Sequence, residues 1–179
     1  MELALYHPQF GYYTRTTDKN GAEQIGAGQA GEDPIGPGRD CEDRIGWNGD
    51  FYTSSDVHPV MAQALARQSR QVDEALGHPD PFTVIEMGAG KGFLARDFLA
   101  ACEQMPSDFF RRLRYVIVER SQAMKASQRQ QLSRWTGASG TAAWRDALAQ
   151  LEDGSLTGVL LSNELLDAFP VHRIFIEQG

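Results

Sequence analysis

One stretch near the middle of the chain decides the fold: it reads Thr83-Val84-Ile85-Glu86-Met87-Gly88-Ala89-Gly90-Lys91-Gly92-Phe93. The apolar, β-prone run before the glycines is typical of a short buried strand, and we expect Glu86 to end it. Residues of helical composition follow from Phe93. Glycines in such a turn let the backbone bend sharply and let a ligand approach where a Cβ would collide. A strand, a glycine turn and a helix in this order predict the opening of a nucleotide-type α/β unit.

Three ligand classes compete for such a turn, and the spacing of the glycines separates them. A phosphate-binding P-loop requires a hydroxyl residue after Gly-Lys, but Gly92 follows Lys91, and Ile85 stands where the first glycine should be. A dinucleotide turn requires G-x-G-x-x-G, whereas the glycines here form G-x-G-x-G. S-adenosylmethionine is cationic and carries no phosphate, so an acid such as Glu86 beside the glycines suits it. A turn that only packs the strand against the helix stays an alternative.

Composition argues against several classes of function. The chain has 179 residues, enough for one domain, and a formal net charge of −7 without a basic stripe that would bind nucleic acid. No apolar run is long enough to span a membrane, and the N-terminus resembles neither a signal peptide nor a transit peptide. We therefore expect a cytoplasmic protein with two reduced thiols, Cys41 and Cys102. We expect no metal site, because the four histidines lack metal-ligand spacing.

The first 78 residues predict an N-terminal extension that precedes the sheet. Residues 17–48 are rich in glycine and charge, and an Ile-Gly pair recurs there every ten residues. So little apolar content cannot bury a core, which favours a flexible insertion, with a lid or a partner-binding loop as the alternative. A helix from Val57 to Leu76 is expected next, capped by Ser55 or Asp56 and ended by Gly77.

Residues 79–179 predict the first half of a parallel sheet with flanking helices. Apolar runs predict further strands over 114–120, 137–144 and 156–161, with helices over 122–135 and 146–151. Glu119 comes at the end of the second strand, Ser121 can cap the next helix, and Asn163 and Glu164 follow the fourth strand. Since parallel strands with right-handed crossovers end at one edge, these groups should converge beside the glycines. Glu119 would then accept hydrogen bonds from two ribose hydroxyls.

Several blocks, in the same order, resemble the MidA family, which is related to the mitochondrial complex I assembly methyltransferases. The matching blocks are residues 1–8 with 11–13, 49–54, 86–92 with 94–97, 115–119 with 121, and 163–172. The glycine turn is shared by many methyltransferases, whereas the blocks at 49–54 and 163–172 are more specific to this family. The resemblance implies a Rossmann-like class I fold with S-adenosyl-L-methionine as cofactor and methyl transfer to a protein side chain. Arginine is the expected acceptor in the mitochondrial relatives.

The resemblance also implies roles for individual residues. The residues expected to bind or line the cofactor are Asp50, Tyr52, Thr53, Glu86, Gly88, Ala89, Gly90, Gly92, Glu119, Ser121 and Asn163. Glu164 and Asp167 would face the reacting centre, where carboxylates can localise the charge of a guanidinium and free a lone pair for attack. A helix beginning near Glu164 would put Asp167 on the same face. The expected partner is a protein substrate such as a respiratory complex subunit.

The sequence departs from the family pattern in three places. The block at Gly49 continues with Ser55-Asp56 where the family has Pro and Glu, and the glycine-rich insertion lengthens a connection that is short in relatives. The family also continues beyond the fourth strand, so we expect a fragment or a truncated product with an exposed sheet edge. A non-catalytic assembly factor that keeps the cofactor fold and an inactive fragment are the alternatives. A dinucleotide oxidoreductase is disfavoured by the glycine spacing.

Overall fold

The structure is a computed structural model that describes residues 58–106, 108–137, 140–152, 154, 156–171 and 174–175. Several predictions on the N-terminal part lie outside the described residues. They concern the insertion over 17–48, the helix caps Ser55 and Asp56, and the cofactor-lining residues Asp50, Tyr52 and Thr53.

Helices precede each of the first three strands in the described part of the chain, and only a 3-10 turn separates the third strand from the fourth. In chain order they are α1 (Val60–Ala75), β1 (Phe82–Met87), α2 (Phe93–Glu103), α3 (Phe109–Arg112), β2 (Leu113–Val118), α4 (Gln122–Gln131), β3 (Ala142–Arg145) and β4 (Gly158–Ser162). Short 3-10 turns cover Ser133–Trp135, Leu148–Gln150 and Leu166–Ala168. The order confirms the predicted succession of strand, glycine turn and helix.

The four strands form one parallel sheet in the order β3-β2-β1-β4. Met87 at the end of β1 pairs with Val118 of β2 and Ser162 of β4, and Val118 pairs with Arg145 of β3. The carboxyl ends of all four strands are therefore level. This arrangement confirms the predicted Rossmann-like α/β fold. As expected, β4 lies at an edge of this sheet, where Leu160 is exposed.

Helices α1, α2 and α4 cover one face of the sheet. Small residues of α1, Ala62 and Ala66, are buried in the same cluster as Phe98 and Leu99 of α2. Aromatic pairs fill the space between helices and strands, since the rings of Phe98 and Tyr115 lie 5.3 Å apart. Such contacts bury large apolar area and hold the helices at fixed positions on the sheet.

Several element boundaries differ from the expected ones. The first helix begins at Val60, directly after Pro59, because the residue before a proline disfavours the α conformation. The third strand begins only at Ala142, because Gly137 and Gly140 have φ values of 78° and 58° that a strand does not tolerate. The helix expected over 146–151 is a single 3-10 turn, and α4 ends at Gln131 rather than Trp135.

Candidate functional site at the strand ends

Three of the predicted site residues follow directly after strand ends that lie side by side. Gly88 follows Met87, Glu119 follows Val118 and Asn163 follows Ser162, and these last strand residues are paired across the sheet. The main chain adds one further tie, because the Glu119 amide donates to the carbonyl of Arg145 over 2.9 Å. The expected convergence of the strand ends is therefore confirmed.

The glycine turn has the backbone that its sequence predicts. Gly88, Gly90 and Gly92 have φ values of 74°, 52° and 89°, in the left-handed region that L side chains rarely adopt. The amide of Gly92 donates to the carbonyl of Ala89 over 2.8 Å, and Gly92 is the residue before α2. The turn is thus built by its glycines, and it leads from β1 directly into α2.

Side chains from two other elements flank the turn and leave its middle open. A Cβ at Gly88 would lie 3.0 Å from Cδ1 of Leu165, and one at Gly92 would lie 3.2 Å from Cγ of Gln128. A Cβ at Gly90 would meet nothing within 4 Å. The turn is therefore open at Gly90, between the contact with Leu165 at Gly88 and the contact with Gln128 of α4 at Gly92.

Glu86 does not end β1, which continues to Met87 because both neighbouring strands stay paired that far. The side chain is buried at 2% exposure, and its Oε2 accepts a hydrogen bond from the Tyr115 hydroxyl over 2.8 Å. Burial raises the pKa of Glu86 from 4.5 to about 7. Pairing of Glu86 with a cationic ligand stays a prediction, and the structure gives this carboxyl group a different partner, Tyr115.

The raised pKa of Glu86 makes stability depend on pH. The folded protein holds the proton more tightly than the unfolded chain, so the free energy of unfolding falls as pH rises from about 4.5 to about 7. We expect Glu86→Gln, which still accepts from Tyr115, to remove this fall. The stability of the variant relative to wild type should therefore increase by about 3 kcal/mol from pH 5 to pH 8. Urea unfolding at both pH values measures it, with Glu74→Gln on exposed α1 as the charge control. Parallel pH profiles for Glu86→Gln and wild type would contradict the burial.

Glu119 is partly buried and held by donors on both carboxylate oxygens. Oε1 accepts from the backbone amide of Ser121 over 2.8 Å, and Oε2 accepts from Nε2 of Gln128 over 3.3 Å. Burial raises the pKa of this carboxyl group, while these hydrogen bonds oppose the rise. The Ser121 hydroxyl accepts from the amide of Met124 over 3.3 Å, which confirms Ser121 as the cap of α4.

Asn163, Glu164 and Asp167 lie on the segment that leaves β4. Asn163 is partly buried, whereas Glu164 and Asp167 are exposed. The helix expected near Glu164 is absent, because Glu164 has a φ of 50° that a right-handed helix excludes. Only the 3-10 turn Leu166–Ala168 follows, so the prediction that Glu164 and Asp167 share a helical face is wrong. Leu165, between them, packs against the glycine turn.

Sequence reasoning missed two groups at this edge. Gln128 of α4 contacts both the glycine turn and Glu119. Lys125, three residues earlier on α4, pairs with Asp146 just after β3. The available signal was the position of these polar residues on the face of α4 that also carries Met124. Polar residues on an otherwise inward face are informative, because a buried polar group requires a partner.

The residues at this edge fit a nucleoside ligand. The turn is open at Gly90, where an added Cβ would meet no atom within 4 Å. Each oxygen of the Glu119 carboxylate accepts one hydrogen bond described here, and a carboxylate can accept about four. Acceptor capacity toward a pair of ligand hydroxyls therefore remains next to the opening. Among the described residues no group of three His, Cys, Asp or Glu side chains could hold a metal ion.

Comparison with protein families gives one match that covers most of the described chain. Residues 64–179 match the family described as "Putative S-adenosyl-L-methionine-dependent methyltransferase". A mitochondrial protein of Drosophila melanogaster, "Protein arginine methyltransferase NDUFAF7 homolog", is 29% identical over an alignment of 152 residues; the match covers 76% of this chain and 34% of the relative.

Two crystal structures from Burkholderia thailandensis are similar in fold and 29% identical in sequence. One is a "likely methyl transferase" bound to S-adenosyl-homocysteine, with a TM-score of 0.66 over 94% of this chain and 36% of that protein. The other is an uncharacterized protein with a TM-score of 0.60 over 94% of this chain and 34% of its own length. The chain thus spans about a third of the length of these relatives.

Proposed function

Because this chain belongs to a family of S-adenosyl-L-methionine-dependent methyltransferases, we propose that its strand-end site holds that cofactor for methyl transfer to a protein side chain. The observation that carries the proposal is the open glycine turn at Gly90, level with the Glu119 carboxylate and the segment after β4. The match also confirms the family resemblance drawn from the sequence, and with it the expected cofactor of the family.

The proposed roles in cofactor binding follow from position and chemistry. Glu119 accepts hydrogen bonds from the ribose hydroxyls, because an ionised carboxylate offers paired acceptors at a suitable spacing. Gly90 leaves the backbone bare where the ligand approaches, Gly88 and Gly92 give the turn its left-handed conformation, and Ala89 is buried in the core. Glu86 supports the end of β1 from within the core through Tyr115. When bound, the cofactor supplies a methyl group already activated by its sulfonium.

The acceptor is proposed to lie against the segment after β4. Glu164 and Asp167 are exposed there, and Leu165 between them packs against Gly88 of the glycine turn, which supports a place for the two carboxylates near the cofactor. Carboxylates in this position can hold a guanidinium by paired hydrogen bonds and localise its charge, which leaves one nitrogen free to attack. Asn163, partly buried at the end of β4, would hold the cofactor or the backbone that carries these acids.

Arginine is the proposed acceptor residue. The Drosophila relative bears the name of a protein arginine methyltransferase, and the exposed acidic pair suits a cationic side chain. The acceptor protein is proposed to be a subunit of a respiratory complex, on the resemblance to the complex I assembly methyltransferases alone.

No helix in the described ranges has the length and apolar character to cross a bilayer.

The cofactor assignment predicts a large effect at Glu119. We expect S-adenosyl-L-methionine to bind the chain and NAD not to, and Glu119→Ala to weaken binding about 30-fold, because a hydrogen-bonded charged acceptor contributes about 2 kcal/mol. Isothermal titration calorimetry measures both. Asp146→Ala, which removes the acid after β3 and its pair with Lys125, shows whether any acid at the edge has this effect. Equal affinity of wild type and Glu119→Ala would remove the ribose role.

Transfer is tested on a full-length relative, because this chain spans about a third of such proteins. The relative is incubated with isotope-labelled S-adenosyl-L-methionine and a cell lysate, and the modified residues are identified by mass spectrometry. Label on arginine side chains that disappears when the residues equivalent to Glu164 and Asp167 become amides supports the proposal. Cofactor binding without labelled protein would favour a non-catalytic assembly factor instead.

A further inference from the structure

One buried amide links three elements at the candidate site. Gln128 has 0% exposure, although the next two residues of α4, Arg129 and Gln130, are exposed. Its Nε2 donates to the carbonyl of Gly90 over 2.8 Å and to Oε2 of Glu119 over 3.3 Å. Its Oε1 accepts from the indole Nε1 of Trp144, on β3, over 2.9 Å. The same side chain thus contacts the glycine turn, the end of β2 and β3.

The partners of Gln128 fix the orientation of its amide. The indole nitrogen of Trp144 only donates, so it requires the amide oxygen. The carbonyl of Gly90 and an ionised Glu119 only accept, so they require the NH2 group. A reversed amide would lose all three bonds. Both described NH2 contacts therefore point at the two groups that border the ligand opening.

Glutamine is better suited to this position than glutamate. A carboxylate at position 128 would still accept from Trp144, but it could not donate to the Gly90 carbonyl, and it would face the Glu119 carboxylate. Two like charges at that distance in a buried place repel each other strongly. The backbone of α4 also lies close to the turn at this point. A Cβ at Gly92 would be only 3.3 Å from the Cα of Gln128.

We propose that Gln128 is a positioning residue for the cofactor: it holds the Glu119 carboxylate at a fixed distance from the Gly90 carbonyl, so that the ribose hydroxyls meet a preset acceptor. This inference rests on the proposed ribose role of Glu119. Gln128 itself does not touch the ligand and acts through Glu119 and the turn. A site held by such buried partners loses less side-chain freedom on binding, which raises affinity.

The test is a double-mutant cycle on the 179-residue chain with S-adenosylhomocysteine as the ligand in calorimetry. We expect Gln128→Met, which is nearly isosteric, to weaken binding about tenfold and Glu119→Ala to weaken it about 30-fold. The double variant should bind about as Glu119→Ala does, because Gln128 has then lost the group it positions. Gln130→Met, at an exposed position of the same helix, should leave affinity unchanged.

A second ligand separates positioning from general support of the fold. Gln128→Met should weaken binding of a 2′,3′-dideoxy analogue of S-adenosylhomocysteine by less than about twofold, because that ligand makes no use of Glu119. Equal losses for both ligands, or additive losses in the cycle, would overturn the positioning role and leave the cofactor proposal intact. If Glu119→Ala itself binds as wild type does, the ribose role falls and the inference falls with it. Should Gln128→Met not fold, Gln128→Ala, which adds no charge and suits a helix, takes its place with the same expected pattern.

Discussion

We expect Gly158→Ala to lower the free energy of unfolding by about 4 kcal/mol or more, which is a large fraction of the stability of a typical domain. A Cβ at this position would lie 1.8 Å from the carbonyl oxygen of Thr83 and 2.9 Å from its nitrogen. Both are backbone atoms of the central strand β1, so no flexible side chain can move aside. Relief requires β4 to separate from β1, where Gly158 and Thr83 are paired.

The matched control for this change is Gly154→Ala. Gly154 also has a positive φ, 71°, but a Cβ there would meet nothing within 4 Å. Its substitution should cost only the backbone strain, about 1 kcal/mol. Chemical denaturation of both variants measures the difference. Losses within about 1 kcal/mol of each other would mean that β1 and β4 are not packed as described.

Since Asn163 and Glu164 directly follow β4, Gly158→Ala should also abolish cofactor binding.

We expect Arg112→Met to cost about 3 to 5 kcal/mol of stability, because it removes the main partner of a buried carboxylate, that of Asp73. Among the described residues only the exposed His78, with Nδ1 2.8 Å from Oδ2 of Asp73, would remain as a partner. Asp73 of α1 has a 1% exposed side chain, and both its oxygens accept from Arg112, over 2.7 and 2.9 Å. The same guanidinium donates to the carbonyl of Pro79 over 2.8 Å. The pair therefore joins the end of α1 and the loop before β1 to the start of β2.

Two further variants isolate the cause of that loss. Arg111→Met removes a neighbouring arginine that is 80% exposed and pairs with exposed Asp108, so it should change stability by less than about 0.5 kcal/mol. The double variant Asp73→Leu/Arg112→Met should be more stable than Arg112→Met, because no isolated charge remains. A double variant as unstable as the single one would contradict this account. Thermal and urea unfolding give both values.

The same pair predicts the response of the fold to acid. Hydrogen bonds from Arg112 hold the pKa of Asp73 below its usual value of 3.8. A depressed pKa contributes stability that is present above the pKa of the unfolded chain and is lost as pH falls through the lower pKa of the folded protein. Wild type should therefore lose stability below pH about 4 more steeply than the double variant, in which this carboxyl group is absent.

Local sequence patterns predicted the fold well where the pattern itself carries the physics. The apolar run before the glycines became the central strand β1, and the three glycines took the left-handed conformations that other residues avoid. The acid Glu119 and the polar Asn163 came to one edge, since parallel strands with right-handed crossovers must end on the same side. Weak patterns predicted less well. The third strand was expected from residue 137 but begins at Ala142, because Gly137 and Gly140 have positive φ values.

The sequence by itself determined where the strands lie along the chain and where the glycine turn falls, because hydrophobic periodicity and glycine conformation are local properties. Only the tertiary structure decided which polar groups meet. Tyr115 covers Glu86 from 29 positions away, and Gln128 reaches Gly90 across 38. Such pairings depend on how the helices pack on the sheet, and no local period records that. Because the partners of Gln128 lie far from it in sequence, its place in the candidate site could not be predicted from the pattern that predicted the acids.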